Sequence, residues 1–393
     1  MSSIEKINSY LASDLKLVPD LDLNKVPQEV TEEDVHIFQQ ITSVELSEEQ
    51  VRQVVEPNKE YPLQREVLAI HWHPEHVPID LAMLRVNKMF PNKEKELIIP
   101  TQHNELLCYN GYAGVEVDCY SQGFNQKVQL LVHFRQDKLK DATVFKAMLK
   151  HTLKYRSSQL FEFIETITKP IEHRIEQAAQ ESGATPSVVE FVTIYVQKIK
   201  KLIDKYFTSL PLNMVKNSLL SNFFEYLRPQ YGDALIDRSL FFLKAVKKIV
   251  KANFSLQYFY RTSEIIEEVR SLGGRIVVPH PEQFWPILLA GYDVDGYEVW
   301  NPQSQRYTEF LISVVLDKNK QLGFSKGPLL IFMGDDTHMG EKVKPLDKQN
   351  VLKASREIGY QPAWDDLSIQ KRLVLHNISR EKVIDQYKQL LAG

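Results

Sequence analysis

Six short apolar segments of this chain each contain or end in a histidine or a carboxylate. The segments are REVLAIHWH, KELIIPTQH, GVEVDCY, KVQLLVHF, RIVVPH and PLLIFMGDDTH. Their density of Val, Ile and Leu is typical of β-strands covered on both faces, rather than of an antiparallel sheet with one face in water. From Thr262 onward, strand-like and helix-like segments alternate, which favours a parallel α/β sheet or barrel.

The same patterns divide the chain into four stretches. Residues 1–62 are rich in Asp and Glu and predict an acidic helical N-terminal arm, in which Ser47 and Gln50 form a capping box. Residues 63–137 and 261–393 are the two α/β stretches, and the second ends in helices. Residues 138–260 read as helix almost throughout, so we interpret them as a helical insertion.

The insertion contains one well-marked helix. Thr185 and Pro186 are suited to its N-cap and first position. An apolar stripe then recurs at helical spacing at Val189, Val192, Val196, Ile199 and Ile203. Lysines fall outside this stripe, at Lys198, Lys200, Lys201 and Lys205 and again at Lys244, Lys247, Lys248 and Lys251. We interpret them as a solvated helix face rather than a nucleic-acid surface, because aromatic residues do not interleave with arginine there.

Composition excludes several classes of protein. The formal net charge is −3, so no overall electrostatic argument points to nucleic acid or membrane. The two cysteines, Cys108 and Cys119, cannot form a disulfide framework. No apolar stretch approaches the roughly 18 residues that span a bilayer, and the N-terminus lacks the pattern of a signal peptide. We therefore expect a cytoplasmic protein that is not embedded in a membrane.

The placement of the 11 histidines is the informative feature. On a strand, His71 and His73 point to the same face. The carboxyl ends of the strands of a parallel barrel meet on one face, so the polar ends of all six segments would converge there. Each buried polar group without a partner costs about 1–3 kcal/mol, and a divalent metal such as Zn, Mn or Fe would compensate. The candidate ligands are His71, His73, His76, His103, Glu116, His133, His280, Asp336 and His338.

Other residues carry weaker signals. A single histidine at a strand end is more often structural than a ligand, so the His71 and His73 pair carries most of the argument. The acids of GYDVDGYEVWNP, Asp293, Asp295 and Glu298, could add charge to the site. His36, His151, His173 and His376 lie in polar or helical contexts and are interpreted as surface residues.

These motifs resemble those of the polymerase and histidinol phosphatase (PHP) family. The resemblance covers about residues 65–135 and 262–345. It rests on His71-Trp72-His73, on PTQH where the family has a TDH-like motif, on GVEV, on GGRIVVPHPE, on DGYEVWN and on GDDTH where the family has Gly-Ser-Asp-x-His. Gln102 stands where the family has Asp, and Gln129 stands where a ligand histidine is expected.

The resemblance implies a distorted (β/α)7 barrel built from residues 63–137 and 261–393, with residues 138–260 as a lid or specificity element. It also implies a site of two or three divalent ions that cleaves phosphate esters through a metal-bridging water. His71, His73, Glu116 and Asp336 would surround one ion. Glu116 would bridge to a second ion held by His280 and His133. The third ion would be held by His103, His338 and His76. Glu116, Asp336 and His338 are then the expected catalytic residues.

Three other functions remain open from the sequence. One is an amidohydrolase-like C–N hydrolase, which also uses a His-x-His strand, although no strand-end lysine is available as the carbamylated bridge. Another is a catalytically altered metal-binding module. The last is a nuclease that uses the basic helices of the insertion to hold a phosphate backbone. We expect a small phosphorylated substrate; its identity and the oligomeric state are not encoded in these patterns.

Overall fold

The computed structural model describes residues 22–322 and 327–393, so residues 1–21 of the predicted N-terminal arm lie outside the described residues. The chain divides into two compact units. We call Met1–Val44 with Tyr155–Ser255 the helical unit, and Glu45–Lys154 with Leu256–Gly393 the sheet unit. The predicted boundaries at residues 62, 137 and 260 stay predictions.

The described helices begin and end as follows: α1 Glu32–Thr42, α2 Glu48–Val55, α3 Ile79–Met89, α4 Thr143–Thr168, α5 Glu172–Ser182, α6 Pro186–Tyr206, α7 Ser218–Tyr226, α8 Arg228–Tyr231, α9 Asp233–Asn253, α10 Thr262–Ser271, α11 Thr308–Leu322, α12 Met339–Lys342, α13 Val351–Ala354, α14 Leu367–Leu375 and α15 Arg380–Ala392. None of them is long and apolar enough to cross a lipid bilayer.

The helical unit has its own apolar core, centred on α6. Thr185 caps α6 as predicted and accepts a hydrogen bond from the Val188 amide. Val192, Val196 and other members of the predicted stripe are buried in this core. Their burial follows from the helical spacing of the apolar residues, which places them on one face.

The predicted lysine face of α6 is wrong at one position. Lys198 is only 1% exposed, and its Nζ lies 2.9 Å from Asp34 Oδ2 of α1. Lys201, by contrast, is exposed and pairs with Glu29. The sequence could not distinguish these lysines, because a buried lysine is tolerated only where another segment brings a carboxylate to it.

All the described strands belong to the sheet unit. They are β1 Glu66–Ala69, β2 Trp72–His73, β3 Lys95–Ile98, β4 Gln102–His103, β5 Leu107–Tyr109, β6 Tyr112–Ser121, β7 Gln126–Arg135, β8 Arg275–Val278, β9 Gly296–Trp300, β10 Leu330–Met333 and β11 Thr337–His338.

The strands form three ladders. The largest has the order β10-β9-β8-β7-β6-β4, with β5 also paired to β6, and the two others are β1 with β3 and β2 with β11. Strands β9 and β10 are buried along their whole length, as expected for strands covered on both faces. The mixed α/β class is therefore confirmed. Among the described residues no strand pair closes these ladders into a barrel, so the (β/α)7 barrel stays a prediction.

The strands after Thr262 are parallel to one another as expected, but the sheet as a whole is mixed. β6 pairs antiparallel with β5 and with β7, and β7 pairs antiparallel with β8. Only residues 122–125 separate β6 from β7. A connection this short can join antiparallel strands but cannot cross over to make a parallel pair. The pairs β8 with β9, β9 with β10 and β4 with β6 are parallel.

Candidate metal centre

Two parallel strand pairs place four of the predicted ligands side by side. β2 and β11 pair with His73 opposite His338, and β4 and β6 pair with His103 opposite Glu116. The rings of His73 and His338 stack with centroids 4.4 Å apart. His103 Nδ1 lies 2.7 Å from Glu116 Oε2. The register of β2 with β11 thus joins residues that are far apart in the sequence.

The other three central candidates follow the carboxyl ends of strands. His71 comes two residues after β1, His280 two residues after β8, and Asp336 three residues after β10. Strands β8, β9 and β10 are parallel neighbours, so their carboxyl ends lie at the same edge of the sheet. Sites in open α/β sheets are commonly built at that edge.

Seven predicted ligands form one continuous cluster. It comprises three groups, in each of which one ligand atom of every residue lies within 4.8 Å of the others. The groups are His71, His73 and Asp336; His71, Glu116 and His280; and His73, His103 and His338.

The two carboxylates lie among the rings. Glu116 Oε1 is 3.7 Å from His71 Nε2 and 3.5 Å from His280 Nε2. Asp336 Oδ1 is 3.6 Å from Nε2 of both His71 and His73. It lies 3.4 Å from His338 Nε2. Two donor atoms that each sit about 2.1 Å from a tetrahedral ion are about 3.4 Å apart, so these separations match the ligands of shared ions.

Several polar atoms at the centre of the cluster are buried and make no hydrogen bond. They are His71 Nε2, both ring nitrogens of His73, Glu116 Oε1 and His280 Nδ1. Each such atom costs about 1–3 kcal/mol when left unpaired. Nitrogen and carboxylate donors are the ligands that Zn, Mn and Fe accept. The donors present therefore fit divalent metal ions.

The two neighbouring histidines His71 and His73 have opposite pKa shifts. Burial alone would lower the pKa of His71, but the carboxylates of Glu298, Asp336 and Glu116 outweigh it and raise the pKa to about 10. Burial, together with the charges of His338 and His103, lowers the pKa of His73 to about 3. Without metal ions the cluster therefore holds some imidazoles charged and others neutral.

The two central carboxyl groups are ionised. Burial opposes the ionised form of Glu116, but His103 holds the pKa of this carboxyl well below its usual range. Burial also opposes ionisation of Asp336, and His338 and His73 hold its pKa well below the usual range. Both acids are thus available as anionic ligands at neutral pH.

One oxygen of Asp336 is occupied by protein donors. Asp336 Oδ2 accepts hydrogen bonds from Gln303 Nε2 at 2.7 Å and from Arg356 Nη1 at 2.8 Å. Arg356 Nη1 also donates to the backbone carbonyl of Asp336 at 2.9 Å. Only Oδ1 then faces the histidines, so Asp336 presents a single, fixed oxygen to the centre.

Backbone strain is concentrated at this cluster. Among the described residues, the non-glycine residues with positive φ that are not asparagine are Glu75 at 56°, His280 at 27° and Asp336 at 46°. Such conformations cost about 1–3 kcal/mol each and persist only where the surroundings impose them. His280 and Asp336 are candidate ligands, and Glu75 Oε1 lies 3.6 Å from His338 Nδ1.

Glu298 has a larger role than the sequence suggested. Its Oε1 accepts a hydrogen bond from His71 Nδ1 at 2.7 Å, and its Oε2 accepts one from the His280 amide at 3.1 Å. A carboxylate that holds one ring nitrogen of a histidine directs the other nitrogen toward a metal. The signal in the sequence was an acid inside the apolar strand β9, the same signal that marked Glu116.

The structure does not support the predicted ligand role of His133, which lies outside the three ligand groups. Its Nδ1 lies 2.7 Å from the Tyr387 hydroxyl and its Nε2 lies 3.0 Å from the Ile70 carbonyl oxygen. Both ring nitrogens are thus used by the protein, and burial lowers the pKa of His133 to about 3. His76 also lies outside the three groups, and its role stays a prediction.

The other acidic candidates of the 293–301 segment are structural. Asp293 and Asp295 both pair with Arg270, at 2.9 and 2.7 Å. Asp295 Oδ2 also accepts a hydrogen bond from the Ile276 amide. Gln129 lies beside the cluster, with its Nε2 3.5 Å from His103 Nδ1.

No family model and no curated protein sequence matches this chain. One solved structure with similarity is a Bifidobacterium adolescentis protein provisionally described as a metal-dependent phosphoesterase. It shares 16% sequence identity with a TM-score of 0.36, and the match covers 80% of this chain and 97% of that chain.

Proposed function

We propose that this chain is a metal-dependent phosphoesterase of the PHP type. The observation that carries the proposal is the cluster of five histidines and two ionised carboxylates whose central donor atoms are buried without hydrogen-bond partners. A protein retains such a costly arrangement where the atoms have another ligand, and imidazole with carboxylate is a divalent-metal donor set.

Divalent ions in such a site supply an activated water at neutral pH and neutralise charge on the phosphoryl oxygens. The residues of the chain hold and orient this centre. Glu298 fixes the tautomer of His71, and Arg356 and Gln303 restrict Asp336 to one ligand oxygen. The fixed geometry would align a phosphate ester without reorganisation during the reaction.

A specific observation favours ester cleavage over the amidohydrolase alternative. In the described part of the sheet unit, Lys342 is the buried lysine. Its Nζ donates to the Ala354 carbonyl and to Glu357 Oε1, and it belongs to none of the three ligand groups. No carbamylated lysine is therefore expected to bridge ions in this centre.

The test is metal analysis combined with a substrate panel. The purified protein, loaded with Mn or Zn, is assayed with phosphate monoesters, phosphate diesters and amides. We expect phosphate release that His71→Ala abolishes together with most of the bound metal. His376→Ala, an exposed histidine of the same unit, is the matched control and should retain both. Amide turnover, or bound metal with no ester turnover, would contradict the proposal.

A further inference from the structure

We propose that a cavity at the strand ends opposite the candidate metal centre binds a small organic anion that carries a planar ring. The cavity has a volume of about 540 Å³, and the residues that line it all belong to the sheet unit. Cavities of this size hold small-molecule ligands in many proteins. The proposal depends neither on metal binding nor on the cleavage of phosphate esters.

The position of the cavity separates it from the candidate metal centre. It is lined by Lys95 at the start of β3, by Tyr112 at the start of β6 and by Arg135 at the end of β7. Because β7 runs antiparallel to β6, its end lies beside the start of β6. Tyr112 precedes the candidate ligand Glu116 by four residues on β6, which is about 13 Å along a strand. No described residue both lines the cavity and belongs to one of the three ligand groups.

Three neighbouring strands place two tyrosines and an arginine in one row. Tyr109 of β5 pairs with Tyr112 of β6, and Tyr112 pairs with Arg135 of β7. Side chains of directly paired residues lie on the same face of a sheet, and all three of these residues line the cavity. The Arg135 guanidinium carbon lies 5.6 Å from the centre of the Tyr112 ring. The row therefore offers an aromatic surface beside a guanidinium group, which suits a ligand with both a ring and an anionic group.

The turn between the two tyrosines holds this row in place. Asn110 and Gly111 are the central residues of the β5–β6 hairpin, with φ of 47° and 79°. An Asn-Gly pair with positive φ at both positions suits a two-residue hairpin turn. The Gly111 carbonyl also accepts a hydrogen bond of 2.9 Å from the amide of Gln136, next to Arg135. Since the row is ordered before a ligand arrives, binding loses little conformational entropy.

Two cations of the cavity are left largely uncompensated by the protein. Lys388 of α15 is partly buried in the cavity wall, and no described residue forms an ion pair or a hydrogen bond with it. Arg135 has a long ion pair with Asp137, whose Oδ1 lies 3.8 Å from the Arg135 Nε. Arginine and lysine bind carboxylate and phosphate groups through charged hydrogen bonds. The two cations thus favour an anionic ligand.

The other charged side chains of the cavity are paired within the protein. The pairs are Lys95 with Asp385 and Glu381, Glu94 with Arg65, and Glu96 with Lys93. Both acids that line the cavity therefore have a cationic partner. Arg135 and Lys388 then determine the charge that a ligand should carry.

The test is isothermal titration of the chelator-stripped protein, so that metal ions neither bind nor hydrolyse the probes. Naphthyl phosphate and naphthoate distinguish a phosphate from a carboxylate as the anionic group. We expect one or both to bind about 10-fold more tightly than inorganic phosphate, which lacks the ring, and than naphthalenemethanol, which lacks the anion. Absence of binding by both ring-bearing anions would overturn the proposal. It would also be overturned if either partial probe bound as tightly as the better of them.

Substitutions in the cavity locate the bound probe. Arg135→Gln and Lys388→Gln each remove one charge with little change in size, and each should weaken binding of the better probe by about 10-fold, because a charged hydrogen bond is lost. Lys382→Gln, an exposed lysine of the same helix, is the matched control and should bind the probe as the wild type does. Thermal denaturation confirms that each variant is folded. Wild-type affinity in both cavity variants, or an equal loss in the control, would overturn the assignment of the ligand to this cavity.

Discussion

The Glu298 carboxylate and the His71 imidazole are joined by a buried hydrogen bond of 2.7 Å between Oε1 and Nδ1. Both side chains are excluded from solvent. This bond leaves His71 Nε2, which makes no hydrogen bond, directed at Glu116 and Asp336. One outer carboxylate therefore sets which nitrogen of His71 is offered to a metal.

The space for this carboxylate depends on Gly334. A Cβ added at Gly334 would lie 2.2 Å from Glu298 Oε1 and 2.5 Å from Oε2. Gly334→Ala should displace Glu298, weaken metal binding and destabilise the protein by about 1–3 kcal/mol through overpacking. Metal titration and urea denaturation measure both effects. At Gly123 an added Cβ meets nothing within 4 Å, so Gly123→Ala is the control. Unchanged metal affinity in Gly334→Ala would contradict the role given to Glu298.

Arg356 should be needed for tight metal binding although it is not a ligand. It donates to both the side chain and the backbone carbonyl of Asp336. Arg356→Lys cannot reproduce this geometry, so we expect metal affinity to fall about 10–100-fold. Isothermal titration of the stripped protein with Zn checks the value. The control is Arg372→Lys, at an exposed ion pair with Glu309, which should bind Zn as tightly as the wild type does. An equal loss of Zn affinity in this control would contradict the role given to Arg356.

Two substitutions at Asp336 should distinguish the effect of its carboxylate on metal binding from the effect of its backbone conformation on stability. Its φ of 46° lies in the left-handed region, which Asn adopts more readily than Ala. Asp336→Asn and Asp336→Ala should both lose bound metal. The metal-free Ala variant should be less stable than the Asn variant by about 1–2 kcal/mol. Thermal denaturation in chelator gives this difference, and equal stabilities would show that the backbone is not strained there.

His133 should affect stability at low pH and leave metal content unchanged. Its folded-state pKa of about 3 lies below the ordinary value of 6.5, so the unfolded chain binds the proton more tightly. Neutral His133 therefore contributes fully to the free energy of unfolding above pH 6.5. This contribution is lost as the pH falls toward 3, because the unfolded chain takes up the proton first. Between pH 7 and 5.5 the wild type should lose about 1 kcal/mol more than His133→Gln. Denaturation of the stripped proteins measures the difference, and loss of metal in His133→Gln would restore the ligand prediction.

The buried pair of Lys198 and Asp34 should stabilise the helical unit. The Lys198→Ala substitution leaves the buried Asp34 carboxylate without its cationic partner, which should cost about 3–5 kcal/mol. The control, Lys201→Ala, breaks the exposed pair with Glu29 and should cost about 1 kcal/mol or less. Urea denaturation of the full chain compares them. Equal costs would contradict the distinction between the buried and the exposed lysine.

The sequence predicted metal ligands best where a polar residue type occurs in an otherwise apolar strand. An acid inside an apolar strand predicted Glu116 as a ligand, two histidines on one strand face predicted His71 and His73, and the structure brings all three into one cluster. The same reasoning failed for His133, which also follows an apolar run. A buried histidine can be satisfied by a carbonyl and a hydroxyl as well as by a metal, and those partners, Ile70 and Tyr387, are far from it in the sequence.

The order of apolar segments and the helix-capping residues are local properties. The sequence by itself therefore determined the α/β class, helix starts such as Thr185 and the residue types available for a metal. Only the tertiary structure decided which of these candidate ligands lie next to one another. The register of β2 with β11 and of β4 with β6 joins His73 to His338 and His103 to Glu116, and the ends of β1, β8 and β10 add the rest. The pairing of β2 with β11 joins segments that are far apart in the sequence. A linear pattern records only neighbours along the chain, whereas burial and hydrogen bonding act through space.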